Sequence, residues 1–140
     1  MSRSLVAVYG TLRRGQGNHC ILSRTTAPLL VTERTQEHFN MFTNWSHGGG
    51  YPFIVPVKTS NSSKNVVIEV YEVDEYTLER LDQLEGYPHH YDRKLTPTSV
   101  GEAWIYFQSK AMLKARGDTR KSVRIFHGDW IDWQMGFRGE

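Results

Sequence analysis

Apolar and polar positions along this chain fall mostly into short alternating runs bounded by glycine, proline, serine and asparagine, the signature of strands joined by turns. The run Ser4-Leu5-Val6-Ala7-Val8-Tyr9 is β-prone and halts at Gly10-Thr11, which predicts a strand over about residues 4–9 and a turn behind it. A further turn spans Gly15 to Asn18, and Asn18 is placed to cap a short helix carrying Ile21 and Leu22. Strand-like runs follow around 28–34 and 37–43, at Phe53 to Val57 and at Val66 to Val73. The polar stretch Asn44 to Gly50, ending in Gly48-Gly49-Gly50, reads as a loop with wide backbone freedom, and Thr59 to Asn65 as a Ser/Asn-rich turn. Later strands are expected at about 91–98, 102–108 and 123–126, with Lys110 to Lys121 a basic surface loop between the last two.

One segment switches to the helical period. Asp74 stands at a cap position, Leu78, Leu81 and Leu84 recur at three-residue spacing, and Glu75, Glu79, Arg80 and Gln83 face elsewhere. Gly86 ends the helix and leaves Glu85 in its last turn. There the helix dipole opposes a negative charge, so the carboxyl pKa is expected to rise.

Composition changes this picture little. The 140 residues fit one domain, 1–140, able to bury a modest core. Acids and bases nearly balance at a net charge of +2, so no nucleic-acid or membrane partner is expected. The cluster Lys110, Lys114, Arg116, Arg120, Lys121 and Arg124 has no interleaved aromatics and reads as a solvated face. Cys20 is the only cysteine and is read as structural, and His89-His90 point to opposite sides of an extended segment with no carboxylate or thiol spaced to complete a metal site. No run approaches the roughly 20 apolar residues of a membrane span, no leader-like segment follows Met1, and the expected compartment is the cytoplasm.

Candidate chemistry sits in two places. Where the first strand stops at Gly10 and Thr11, backbone N–H groups lose their ladder partners and become available to an anion or a polarised carbonyl oxygen. Glu85, just inside the end of the helix, supplies an acid. Donors on one side and a carboxylate on the other suggest a small-molecule site.

The ordered blocks Tyr9-Gly10-Thr11-Leu12-Arg13, Gly50-Tyr51-Pro52, Val70-Tyr71-Glu72-Val73, Leu81-Asp82-Gln83-Leu84-Glu85-Gly86-Tyr87 and Tyr91-Asp92-Arg93 resemble those of the γ-glutamylcyclotransferase-like superfamily, and most closely its short single-domain branch that includes γ-glutamylamine cyclotransferases. The resemblance implies an α+β fold, a small mixed β-barrel or sheet with one main helix and short helical segments. It implies an enzyme that closes a γ-glutamyl amine or amide into 5-oxoproline and releases the amine, with no cofactor and no metal. Carried onto this chain, Glu85 is the expected general acid/base, and Tyr9, Gly10, Thr11, Leu12, Tyr51, Pro52 and Tyr91 the expected substrate-binding residues.

Each residue also has a plainer reading. Tyr9, Tyr51 and Tyr91 fit a core or half-buried aromatic role, Gly10 a simple turn, and Arg93 a structural ion pair, the reading preferred for it. Trp130 and Trp133, behind a Gly128-Asp129 pair common in the family, are expected to pack the C-terminal end onto the barrel. Many relatives carry glycine where this chain has Ile68, ahead of Glu69-Val70-Tyr71, and the larger side chain is expected to narrow or reshape the cavity. A binding module or inhibitor that holds a metabolite, nucleotide or protein in the same pocket without turnover is the alternative; the leaving amine and the oligomeric state are open.

Overall fold

The computed structural model describes residues 3–23, 27–44, 51–57, 65–115 and 122–136. Eight strands divide between two sheets. They are β1 (Arg3–Val8), β2 (Leu29–Arg34), β3 (Phe39–Asn44), β4 (Pro52–Pro56), β5 (Val67–Asp74), β6 (Asp92–Thr98), β7 (Gly101–Phe107) and β8 (Ser122–Ile125). The larger sheet has the order β2-β5-β1-β7-β6 and the smaller β4-β3-β8. Four helices complete the fold: α1 (Cys20–Ser23), α2 (Glu75–Glu85), α3 (Lys110–Ala115) and α4 (Trp130–Gln134). The architecture is α+β, with one main helix and short helical pieces.

The centre of the large sheet is β1. It pairs antiparallel with β5, Val6 opposite Tyr71, and parallel with β7, Val6 opposite Trp104, so the sheet is mixed. Alternation sends its side chains to two cores. Ala7 and Tyr9 join Ile68, Val70, Ile105, Met41 and Ile54 on the side of the small sheet, where Trp130 and Trp133 are also buried. Val6 and Val8 join Tyr71, Val73, Leu81 and Tyr106 on the side of α2. The two sheets meet where the N–H of Gln108, just past β7, donates to the C=O of Ile54 at 3.0 Å.

The main helix forms where its pattern places it. Asp74 accepts from the Thr77 N–H at 2.8 Å, and Gly86 closes the other end in the left-handed region, with φ +67°. Leu81 is fully buried, but Leu84 is 41% exposed, so the apolar stripe does not all face the core. A side chain at Gly86 would be strained by that φ and would set a Cβ 2.9 Å from His90 Cβ.

Two expectations change. Lys110–Ala115 is helical rather than loop, because Ser109 Oγ accepts from the Met112 N–H and Ala111, Met112, Leu113 and Lys114 are good helix formers, a signal masked by reading the segment for charge. Asn18 does not cap α1 with its side chain, since its Nδ2 donates instead to Thr11 Oγ1 at 2.9 Å. Cys20 opens α1 and is exposed. The glycine run 48–50, most of the turn 59–65 and the basic residues 116–121 lie outside the described residues.

Gly86→Ala is expected to lower stability by about 1–2 kcal/mol, read as a lower urea midpoint with an unchanged m-value.

Candidate functional site

Because β1 and β7 run parallel, their carboxyl ends open on the same edge of the sheet, and a cavity of about 410 Å³ lies there. It is lined from β1 by Ala7 and Val8, from the following turn by Tyr9 to Leu12 and Asn18, and from β7 by Tyr106. Tyr51 and Pro52 enter from the start of β4, Leu84 and Glu85 from the end of α2, and His90 and Tyr91 from the turn before β6. All eight residues expected at the site, Glu85 with Tyr9, Gly10, Thr11, Leu12, Tyr51, Pro52 and Tyr91, therefore border one cavity.

The turn after β1 spends its carbonyl groups internally. Gly10 C=O accepts from Arg13 N–H at 3.0 Å, Thr11 C=O from Asn18 N–H at 2.9 Å, and Leu12 C=O from His19 Nδ1–H at 2.9 Å. Among the described residues no acceptor meets the N–H groups of Gly10, Thr11 or Leu12. This cluster of donors at the cavity thus has no protein acceptor among the described residues. Gly10 is required by close approach rather than by φ: a Cβ there would lie 2.6 Å from Pro52 Cγ, in a ring that cannot swing aside.

Glu85 is half-buried, and among the described residues no donor reaches its carboxylate. Burial pushes its pKa from 4.5 up to about 7. The dipole argument gave the right direction; the cause that emerges from the packing is desolvation.

The helix end that carries Glu85 is anchored one turn earlier. Asp82 accepts from Arg93 Nη1 at 3.2 Å and from the Tyr106 hydroxyl at 2.7 Å. The Arg93 guanidinium lies 4.6 Å from the Tyr87 ring centroid and 4.4 Å from that of Trp104, held by both aromatic faces. Arg93 thus has the structural role preferred for it.

The tyrosine hydroxyls are engaged with the backbone. Tyr9 donates to the C=O of Tyr106 at 2.8 Å and Tyr91 to the C=O of Pro52 at 2.9 Å, which fixes both rings as walls. Burial, and after it the charge of Glu85, raises the Tyr9 pKa well above its ordinary value, so its hydroxyl stays protonated. Tyr51, His90 and Tyr91 form an aromatic group at the cavity, with centroids 5.0–6.3 Å apart.

Sequence reasoning missed Ala7, Val8, Asn18, Leu84, His90 and Tyr106 as lining residues. Alternation along Trp104-Ile105-Tyr106 could have placed Tyr106 opposite the buried Ile105, and an Asn-His pair closing a glycine-rich turn hinted at Asn18. Ile68 does not narrow the cavity as expected, because it is fully buried in the core toward the small sheet.

Comparison with known proteins converges on one family. The profile of the family described as gamma-glutamyl cyclotransferase, AIG2-like, matches residues 6–132. A Vibrio cholerae protein named as a presumed gamma-glutamylcyclotransferase is 37% identical over 126 residues, covering 90% of this chain and 94% of that protein. Gamma-glutamylaminecyclotransferase A of Danio rerio is 33% identical over 134 residues, covering 91% of this chain and 73% of its own length. The solution structure of protein ytfP from Escherichia coli matches with a TM-score of 0.62 at 31% identity, covering 95% of this chain and 99% of that one. By the match across nearly all of its length, the chain belongs to the gamma-glutamyl cyclotransferase, AIG2-like family.

Proposed function

We propose that this protein closes the γ-glutamyl group of a small γ-glutamyl amine or amide into 5-oxoproline and releases the amine, with Glu85 as general base and acid and Tyr9 to Leu12 as the substrate cradle. The observation that carries the reading is the meeting, in one cavity, of a half-buried carboxylate and a turn whose N–H groups, among the described residues, find neither donor nor acceptor respectively. The family assignment and the names of its relatives support the same class of enzyme.

The chemistry needs no group beyond the substrate and the chain. Glu85 takes a proton from the substrate's α-ammonium, and the freed nitrogen attacks its own γ-carbonyl carbon. The new C–N bond forms as the carbonyl becomes an oxyanion. The ring nitrogen sheds its second proton, the old C–N bond breaks, and the departing amine leaves protonated, so no net proton is taken up. An ordinary glutamate lies about 3.5 pKa units below a terminal α-amine, a transfer uphill by about 5 kcal/mol. With Glu85 at about 7, that gap narrows by about 2.5 units, or roughly 3.4 kcal/mol. The N–H groups of Gly10 to Leu12 supply donors for the substrate carboxylate or the oxyanion, and folding the glutamyl chain against them brings nitrogen and carbonyl carbon together.

Three outcomes are expected. Incubated with γ-glutamyl amines, γ-glutamyl amino acids and glutathione, wild type yields 5-oxoproline by mass spectrometry from at least one substrate, and Glu85→Gln loses about 10²–10⁴-fold of that rate while folded. The wild-type kcat/KM falls below about pH 7, as the base protonates. Absence of product from the whole panel would leave a pocket that binds without turnover.

The same pKa shift links to stability with a definite sign. Between pH 4.5 and about 7 the folded protein keeps a proton on Glu85 that the unfolded chain has lost, so stability falls as pH rises through that window, and the full cost is present above it. Glu85→Gln removes that cost. It should be more stable than wild type by up to about 3 kcal/mol at pH 8 and by less than about 0.5 kcal/mol near pH 4.5, read by urea unfolding at both pH values.

Gly10→Val is expected to abolish ligand-induced thermal stabilisation, because its side chain must displace Pro52 from the cavity wall; a normal thermal shift with the best substrate of the panel would place the ligand elsewhere.

A further inference from the structure

Two of the most deeply buried charges in the molecule lie outside the cavity. Arg13 is 6% exposed and Glu69, on β5, is 5% exposed. Neither borders the cavity, and the reaction above uses neither. Glu69 Oε2 accepts from Arg13 Nε at 3.0 Å, while its Oε1 accepts from the backbone N–H of Arg14 and from the Tyr71 hydroxyl, each at 2.8 Å. The other arm of the guanidinium, Nη1, donates to Asp129 Oδ1 at 3.0 Å. Asp129 also accepts from the Asp132 N–H at 3.2 Å and so caps α4, whose Trp130 Nε1 donates to Gln16 Oε1 at 3.3 Å.

Stability alone is a poor account of this arrangement, since a well-packed apolar set serves a core as well as a buried ion pair does. Its geometry is more telling. Glu69 grips both the side chain of Arg13 and the peptide of Arg14, and the Arg13 N–H closes on the Gly10 C=O. The downstream end of the turn is thereby fixed to β5, and its upstream end continues from β1, which is itself paired with β5. The turn from Gly10 to Leu12 is thus held at both ends.

We propose that the buried Glu69–Arg13 pair is the positioning device of the substrate cradle, holding the turn Gly10 to Arg14 so that its free amide groups keep facing the cavity, and that Asp129 extends this hold to α4. The proposal rests on the cradle reading given above. Glu69, Arg13 and Asp129 are positioning residues that act through the turn.

The test uses the full chain and the best substrate of the panel. Glu69→Gln sets an amide N–H₂ against donors it cannot satisfy, and Arg13→Lys keeps the charge but loses the planar fork that spans two carboxylates. Each is expected to lose at least tenfold in kcat/KM at a temperature where circular dichroism shows it folded, with the limb near pH 7 unmoved because Glu85 is untouched. A lower melting temperature with kcat/KM within twofold of wild type in the folded variants would overturn the proposal, as would full recovery by Arg13→Lys. Should Glu69→Gln not fold, Arg13→Lys and Asp129→Asn carry the same decision, the latter with a several-fold loss expected. A readout independent of turnover separates this proposal from the one it rests on: the ¹⁵N–¹H resonances of Gly10, Thr11 and Leu12 should shift in Arg13→Lys, and unchanged resonances would overturn it even if no γ-glutamyl substrate reacts.

Discussion

A strand covered on both faces and paired on both edges has spent every group it owns, and the consequences appear where it ends. β1 lies between β5 and β7, with Val6 and Val8 in one core and Ala7 and Tyr9 in the other. Beyond Tyr9 the ladders run out, and the chain must turn before it meets Pro52. Only glycine fits at position 10, and the tight turn that follows closes its carbonyls on Arg13, Asn18 and His19. The N–H groups are what remain. A donor-rich cavity wall is thus the residue of a packing problem, and the parallel partner β7 sets Tyr106 beside it.

The opposite wall follows from how α2 is held. Its cap at Asp74 and its stop at Gly86 fix its length, and Leu81 docks it. Asp82, one turn before the end, is clamped by Arg93 and Tyr106, and Arg93 is flattened between Tyr87 and Trp104. Arg93 is paired with Asp82, and it is burial that raises the Glu85 pKa. A half-buried carboxylate that meets no donor among the described residues costs stability at neutral pH, and such groups are enriched at functional sites.

What was legible in the sequence was whatever depended on neighbours in the chain. The alternation in Leu5 to Tyr9, the stop at Gly10 and the cap, stripe and terminator of α2 are local signals, and the ordered blocks around them placed Glu85 and the residues from Tyr9 to Leu12 on one site. What escaped depended on partners far along the chain. Glu69 meets Arg13 and Arg14 across more than 50 positions, a pairing that no local pattern shows. Leu84 shows the limit of periodicity: its spacing matches that of Leu81, yet the cavity replaces the core at that point along the helix. The helix at Lys110 was hidden by its charge, which described its solvent face and not its backbone.

The two walls of the cavity are held by different ion pairs. The turn Gly10 to Arg14 is fixed from β5 and α4 through Glu69, Arg13 and Asp129, and the end of α2 from β6 and β7 through Arg93 and Tyr106. Tyr51, Leu84 and His90, which also border the cavity, belong to neither network. Tyr51 and His90 come from connecting segments, and Leu84 from a solvent-facing helix position. The turn and the helix end are thus tied to ion pairs within the fold, while this part of the cavity wall is built from side chains that stand outside those pairs.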